Sequence, residues 1–189
     1  MLKNLKAFFS LHSTTIFAIR KNGKTVMVGD GQVTQGDVLI KHDAKKIREI
    51  KPGIICGFAG SLADCLTLID HLEKFIDKFP KHRLLKPCIE LAIKWRTDNY
   101  FKRLEASVLV ADQNELIEID GSGNVLVHDR FRAIGSGGHF AECAAEALYD
   151  LEDQDALSVA RKSMEIASLK CIYTNNNFII KSLDSELQN

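Results

Sequence analysis

The chain has 189 residues, and 25 lysines and arginines balance 25 aspartates and glutamates, so its formal net charge is zero. Apolar residues make up 46 % of the sequence, which excludes an intrinsically disordered chain because such chains lack apolar residues and carry net charge. No segment approaches the roughly 18 consecutive apolar residues of a membrane-spanning helix. The neutral balance also argues against a dedicated nucleic-acid-binding protein.

The first 13 residues differ from the rest of the chain. They carry Lys3 and Lys6, no acidic residue, and an apolar patch around Phe8 and Phe9. The segment is too short for a secretory signal. A disordered leader, a propeptide and a short organelle-targeting sequence all remain open. We therefore predict a leader over 1–13 and a single domain over 14–189, a length typical of one domain.

The beginning of the domain predicts a hairpin and a buried strand. Two β-rich segments, 15–19 and 25–29, flank the turn signal Asn22-Gly23. Residues 30–36 are polar and typical of turns, and residues 37–48 end in a basic group. The apolar segment 54–59 follows the turn at Pro52-Gly53 and predicts another strand.

Helices and strands then alternate in groups. Apolar residues recur every three or four positions from Leu62, which predicts an amphipathic helix that Pro80 ends. A second helix is predicted over about 84–104, with Trp95 toward the core and Tyr100 or Phe101 beside it. The remaining predicted elements are strands at 107–111, 116–119, 124–127 and 131–134, helices at about 139–150 and 155–169, and a strand at 178–180.

Antiparallel hairpins with helices grouped in pairs favour an α+β sandwich, in which two sheets lie between helix layers. This pattern alone leaves rival two-layer arrangements open. The five cysteines are an odd number and form no C-x-x-C pair, so we predict small buried thiols in a reducing compartment.

Single motifs give weak functional signals. The loop Gly135–Gly138 stands between a predicted strand and a helix, where backbone N–H groups could hold a phosphate. It lacks the lysine and the spacing of a P-loop. Neither a G-x-S-x-G elbow nor an H-E-x-x-H motif occurs, and the six histidines are scattered. Taken one at a time, Thr14, Asp30 and Lys46 have ordinary structural explanations.

Taken together, eight ordered segments carry far more information. In order and spacing they resemble the HslV (ClpQ) family, the proteasome-related threonine peptidases, from residue 14 to about 183. The segments are TTI at 14–16, GDGQV at 29–33, KIR at 46–48, GFAGS at 57–61, WRTD at 95–98, LEA at 104–106, IGSGG at 134–138 and CIYTN at 171–175.

This resemblance implies a fold, an activity and partners. The fold is the four-layer αββα sandwich of the N-terminal-nucleophile hydrolases. The activity is that of the proteolytic subunit of an ATP-dependent protease, a threonine endopeptidase that cleaves unfolded proteins inside two stacked hexamers. The partner is an HslU-type hexameric ATPase, which alone binds ATP. No nucleic acid or membrane is expected as a partner.

The resemblance also assigns a nucleophile and its base. The family's N-terminal threonine falls on Thr14, and its own α-amine, with a pKa near 7.7–8.0, can act as the base. An amine inside a peptide bond cannot do so, so residues 1–13 must be removed. Lys46 corresponds to the lysine beside the nucleophile, whose charge favours a neutral amine. Asp30 corresponds to the aspartate that orients Lys46 and the threonine.

Three further positions follow from the resemblance. Ser136 corresponds to a serine hydrogen-bonded near the amine. Gly60 corresponds to the glycine whose N–H stabilises the oxyanion; removing such a donor costs about 10²–10³ in kcat. Phe58 is expected to shape the substrate pocket.

The resemblance implies no cofactor for the chemistry, but it does imply a monovalent cation, Na⁺ or K⁺, held by backbone carbonyls. The matching positions are Ser168, Cys171 and Thr174. Here the sequence departs from the family, because Ser168 replaces a usual glycine. Lys170 also stands next to the site, and its charge would disfavour a cation if it pointed inward.

Two alternatives of other classes compete with a catalytic endopeptidase. One is a non-catalytic ring or scaffold subunit of the same fold. The other is an N-terminal-nucleophile amidase that acts on small molecules. For localisation, the bacterial cytoplasm is expected, and the basic, acid-free leader keeps a mitochondrial alternative open.

Overall fold

The computed structural model describes residues 14–101 and 106–184, so the predicted leader over 1–13 lies outside the described residues. The elements in chain order are β1 (Thr15–Lys21), β2 (Lys24–Gly29), β3 (Val33–Gln35), β4 (Val38–Lys41), β5 (Ile47–Lys51), β6 (Ile54–Gly60), α1 (Leu62–Lys78), α2 (Leu85–Thr97), β7 (Ala106–Ala111), β8 (Leu116–Ile119), β9 (Val125–His128), β10 (Phe131–Gly135), α3 (Gly138–Leu148), α4 (Ala156–Lys170) and β11 (Ile179–Asp184).

The predicted four-layer αββα sandwich is confirmed. One antiparallel sheet has the order β10-β1-β2-β11, and the other has the order β5-β6-β7-β8-β9. Helices α3 and α4 cover the first sheet, and α1 and α2 cover the second. A small hairpin of β3 and β4 stands apart from both sheets.

Alternation along β1 shows how the layers are filled. Phe17 and Ile19 face the layer of α3 and α4, whereas Ile16 and Ala18 face the second sheet. Because both faces of β1 are buried, the strand is apolar throughout rather than alternating. The first strand after the leader is thus held in the middle of the sandwich.

The two sheets approach closely beside the start of β1. A Cβ added at Gly57 on β6 would lie 2.6 Å from Ile16 and 2.9 Å from Met27. Such contacts are shorter than packed atoms tolerate. Glycine at this position therefore lets the second sheet pack directly against β1.

Several predicted boundaries were wrong. Helix α2 ends at Thr97 and not near 104, because the Asp98 carboxylate accepts hydrogen bonds from the N–H groups of Tyr100 (2.8 Å) and Phe101 (3.4 Å) and starts a turn. Strands β3, β4 and β5 were not predicted from residues 30–51, and β11 is longer than 178–180. Tyr100 is exposed, and Phe101 is the residue that reaches the core.

The cysteine prediction holds for all but one residue. Every cysteine is free, and four are buried, but Cys143 on α3 is exposed. Burial raises the pKa of the Cys65 thiol to about 12, so this side chain acts as a small apolar group. Within the described residues, no helix has the length and apolar character needed to cross a membrane.

Candidate active site

The β1–β2 hairpin brings Thr14 and Asp30 to the same end of the first sheet. Asn22 and Gly23 both have positive φ, 51° and 72°, as a two-residue hairpin turn requires. This turn pairs Ile16 with Gly29, so the next pair in register is residue 15 with residue 30. The Asp30 N–H accordingly donates to the Thr15 carbonyl at 3.1 Å.

Asp30 is fully buried and bonds four N–H donors. Its Oδ1 accepts hydrogen bonds from the Thr15 backbone at 2.7 Å and from Lys46 Nζ at 2.8 Å. Its Oδ2 accepts from the backbone of Gln32 at 2.9 Å and of Asn175 at 3.4 Å. The Asp30 carboxylate thus meets two donors at each of its oxygens. This carboxylate therefore holds together the start of β1, the Lys46 side chain and the C-terminal segment around Asn175.

The Lys46 side chain reaches the Asp30 carboxylate from the second sheet. Lys46 directly precedes β5, and its carbonyl accepts from the Phe58 N–H at 3.3 Å, so β6 fixes its backbone. The side chain is only 5 % exposed and pairs with Asp30. Burial lowers the pKa of Lys46, and the Asp30 carboxylate partly opposes that effect. The ion pair therefore joins the two sheets and places a desolvated positive charge beside Thr14.

Thr14, Lys46 and Gly60 line one pocket of about 70 Å³. Gly60 ends β6 with a φ of 125°, a value that L side chains rarely adopt. The remaining lining residues are mainly apolar: Val33, Ala44, Lys45, Phe58 and Leu62. The arrangement combines a hydroxyl, a buried ammonium group and an apolar binding surface, which suits acyl transfer on a peptide.

Ser136 lies in the loop between β10 and α3, directly beside Thr14. Its backbone N–H donates to the Thr14 carbonyl at 2.9 Å, and the residue itself is exposed. The preceding Gly135 has a φ of 87°, and a Cβ there would collide with the Thr14 carbonyl oxygen. Glycine is therefore required at residue 135 for the loop to approach the start of β1.

Three polar residues of this region make contacts that the sequence reasoning missed, although Thr174 was predicted as a carbonyl ligand of a cation. The Thr15 hydroxyl accepts from the Gly137 N–H at 2.9 Å and lies 2.7 Å from the Thr174 hydroxyl. The Asn175 side chain accepts from the Gly31 N–H at 3.0 Å. Thr15 resembled an ordinary β-branched strand residue, and Thr174 and Asn175 lie about 160 positions away. No local pattern could reveal that they meet.

The predicted cation ligands cluster around the end of α4. This helix ends at Lys170, so the carbonyls of its last turn, including that of Ser168, lack helical partners. The Cys171 carbonyl accepts from the Thr174 N–H at 3.1 Å. Leu169 and Lys170 are exposed, so the Lys170 charge does not point inward. A cation at these carbonyl oxygens stays a prediction. In the described part of the chain, no group of three or more His, Cys, Asp or Glu residues could hold a metal.

Comparisons with known proteins agree with this geometry. The sequence matches the proteasome subunit family over residues 10–183. The ATP-dependent protease subunit HslV of Sulfurihydrogenibium sp. (strain YO3AOP1) is 49 % identical over 176 residues, covering 92 % of this chain and 98 % of the relative. The corresponding subunit of Bartonella quintana (strain Toulouse) is 48 % identical over 180 residues, covering 94 % of this chain and 92 % of the relative.

Comparison with solved structures supports the same family. Eukaryotic HslV from Trypanosoma brucei superposes with a TM-score of 0.87 at 43 % identity, covering 90 % of this chain and 99 % of that chain. A protein described as Thiobacillus denitrificans BPH superposes with a TM-score of 0.72 at 20 % identity, over 92 % of this chain and 100 % of that chain, and supports the fold alone. From its sequence, fold and relatives, the chain belongs to the proteasome family and, within it, to the HslV proteins.

Proposed function

We propose that this chain is the proteolytic subunit of an ATP-dependent protease, a threonine endopeptidase whose nucleophile is Thr14. The observation that carries the proposal is the convergence of Thr14, Lys46 and Gly60 on one pocket, with Asp30 bonded to Lys46 behind it. The nucleophile becomes active when residues 1–13 are removed, because only then does Thr14 have a free α-amine.

In the first half of the reaction, Thr14 Oγ1 bonds to the scissile carbonyl carbon and its proton passes to the Thr14 α-amine. The carbonyl electrons move onto oxygen, and the Gly60 N–H stabilises that charge. The C–N bond then breaks, the amine proton goes to the departing nitrogen, and an ester remains on Thr14.

In the second half, water attacks the ester carbonyl and the α-amine takes its proton. Collapse of the tetrahedral species returns the proton to Thr14 Oγ1 and releases the carboxylic acid. The Lys46 charge lowers the pKa of the nearby amine, which keeps the amine a base at neutral pH. Asp30 holds Lys46 in place, and Ser136 restrains Thr14.

The same proposal covers partners, cation and location. Two stacked hexamers would enclose the sites, and an HslU-type ATPase would deliver unfolded proteins. Na⁺ or K⁺ would be held by the carbonyls of Ser168, Cys171 and Thr174, where it would stiffen the turn that carries the Thr174 hydroxyl. The bacterial cytoplasm is the proposed compartment, with the mitochondrion as the alternative. The apolar pocket lining supports cleavage after apolar side chains.

Mass spectrometry and N-terminal sequencing of the protein from its own cell test the nucleophile first. We expect a mature chain that begins at Thr14 and hydrolyses a short fluorogenic peptide. Thr14→Ala should abolish hydrolysis, because it removes the hydroxyl that attacks the scissile carbonyl. Sedimentation should show that the assembly stays intact.

Thr14→Ser is the matched control, since it keeps a hydroxyl on the same atom framework and should retain measurable hydrolysis. Retained turnover in Thr14→Ala would remove Thr14 from this role. A mature chain that still begins before Thr14 and is inactive would favour the scaffold subunit. Hydrolysis of small amides without any cleavage of unfolded protein would favour the amidase.

A further inference from the structure

A buried charge network lies at the base of the loop that carries Ser136. Arg132 on β10 donates to both oxygens of Glu118 on β8, from Nε at 2.6 Å and from Nη2 at 3.2 Å. Glu118 is only 4 % exposed, and its Oε2 also lies 3.2 Å from His128 Nε2. A forked guanidinium–carboxylate pair of this kind fixes both partners in orientation. Arg132 is therefore anchored to the second sheet.

Glu142 on α3 completes the network from the other side of the loop. Its Oε1 accepts from Arg132 Nη1 at 2.9 Å and from the Ala133 N–H at 2.9 Å. Because β10 is an edge strand of the first sheet, Ala133 offers this N–H away from β1. One carboxylate oxygen thus ties the helix to two successive residues of the strand.

The contacts of Glu142 with Arg132 and Ala133, called the clamp here, join the two ends of residues 134–141. The tip of the loop formed by these residues contacts Thr14. Ser136 N–H holds the Thr14 carbonyl, and Gly137 N–H holds the Thr15 hydroxyl, both at 2.9 Å. Apart from Thr14 itself, the pocket is lined by residues between 33 and 62, so neither Arg132 nor Glu142 contributes to it. A change in the clamp therefore reaches the reaction through the position of Thr14 and not through substrate binding.

We propose that Glu142 is a positioning residue for the reaction: it closes the base of the Ser136 loop and so holds Thr14 at the distance that attack requires. The proposal rests on the proposed function. Displacing a nucleophile by about 1 Å can cost up to about 100-fold in rate. The loop keeps its other contacts in Glu142→Ala, so a smaller loss is expected.

The test compares steady-state kinetics of processed protein on a short apolar peptide, with leader removal checked by mass. Glu142→Ala should lower kcat about tenfold and leave KM within about twofold. Glu142→Gln keeps the oxygen that accepts from Ala133 and should recover kcat to within about threefold of the wild type. The matched control is Glu146→Ala, one turn later on α3, whose carboxylate is exposed and pairs with Arg130 at 3.3 Å.

Three results would overturn the proposal: equal kcat in Glu142→Ala and Glu146→Ala, a change confined to KM, or a Gln variant no better than the Ala variant. If Glu142→Ala does not fold, Glu142→Gln is compared with Glu146→Ala instead. The Gln variant loses its charge toward Arg132 and should lower kcat by up to about threefold with KM unchanged, and a kcat equal to that of the control would overturn the proposal. An inactive wild type, or an active Thr14→Ala, would instead overturn the proposed function, so the two failures are distinguishable.

Discussion

Asp30→Asn removes the negative charge that compensates the buried Lys46. In the unfolded chain the lysine has a pKa of about 10.4. The folded variant can avoid an uncompensated buried charge by releasing the proton of Lys46. This release costs about 1.4 kcal/mol for each unit by which the pH lies below the unfolded pKa. The charge-related loss of stability is therefore at most about 4.6 kcal/mol at pH 7 and about 2 kcal/mol at pH 9.

A second contribution does not depend on pH. Asp30 accepts two hydrogen bonds at each oxygen, but an asparagine side chain has one oxygen and one donor NH₂. We expect the NH₂ to face the longer pair of contacts, from Gln32 and Asn175. Leaving those buried N–H groups without an acceptor costs about 1–3 kcal/mol.

Urea denaturation of wild type and variant at pH 7 and pH 9 measures both contributions. The destabilisation should shrink by up to about 2.7 kcal/mol between pH 7 and pH 9, since the variant becomes more stable relative to wild type as Lys46 loses its proton. The double variant Asp30→Asn/Lys46→Met has no charge at either of these two positions and should show only the contribution that does not depend on pH. A loss of equal size at both pH values would refute the reasoning that Lys46 is charged and dependent on Asp30.

Two further predictions concern the loops around the site. Gly137→Ala places a Cβ 2.5 Å from each of the two buried threonine hydroxyls that it faces, so thermal denaturation should show a loss of stability of about 1–3 kcal/mol. The control is Gly138→Ala, whose nearest contact is 3.4 Å and which should lose less stability. The reverse order would contradict this reasoning. Arg132→Met leaves the buried Glu118 carboxylate without its main partner and should cost about 2–3 kcal/mol at pH 7, less than a fully buried pair because Arg132 is 31 % exposed. Burial raises the pKa of Glu118, but hydrogen bonds from His128 and Arg132 outweigh it and hold that pKa below its ordinary value. This stabilisation is present above the unfolded pKa of about 4.3 and disappears as the pH falls through the lowered one. The variant's deficit in urea denaturation should therefore shrink below about pH 4, and a deficit at about pH 2.5 equal to that at pH 7 would be contrary evidence.

The sequence predicted the layers well because their signals are local. Asn22-Gly23 specifies a tight hairpin, and the helical periodicity from Leu62 agrees with α1, although Leu62 itself is exposed. Strands β3 and β4 were missed because they are short, and β4 is exposed along its whole length, so no buried alternation marks it. The end of α2 was missed because hydrogen bonds that the Asp98 carboxylate accepts from the backbone decide it, and apolar spacing does not.

The residues of the site likewise divide into those that local sequence motifs predicted and those that they did not. Thr14, Asp30 and Lys46 belong to short motifs whose order is informative, and the structure brings them together. The Arg132–Glu118 pair could not be found, because each residue sits in a strand that is otherwise apolar and only the packing of two sheets brings them into contact. The roles of all the predicted site residues stay predictions: Thr14, Asp30, Lys46, Gly60, Ser136 and the cation ligands.

The contacts of Asn175 have a consequence for the time at which the site is finished. This residue bonds Asp30 and Gly31 and donates to the His42 carbonyl at 2.9 Å, so the N-terminal third of the domain is held by a segment near the opposite end of the chain. During synthesis Thr14 leaves the ribosome 161 residues before Asn175. A nascent chain therefore carries Thr14, Asp30 and Lys46 without the contacts of Asn175, and these contacts can form only after residue 175 has emerged.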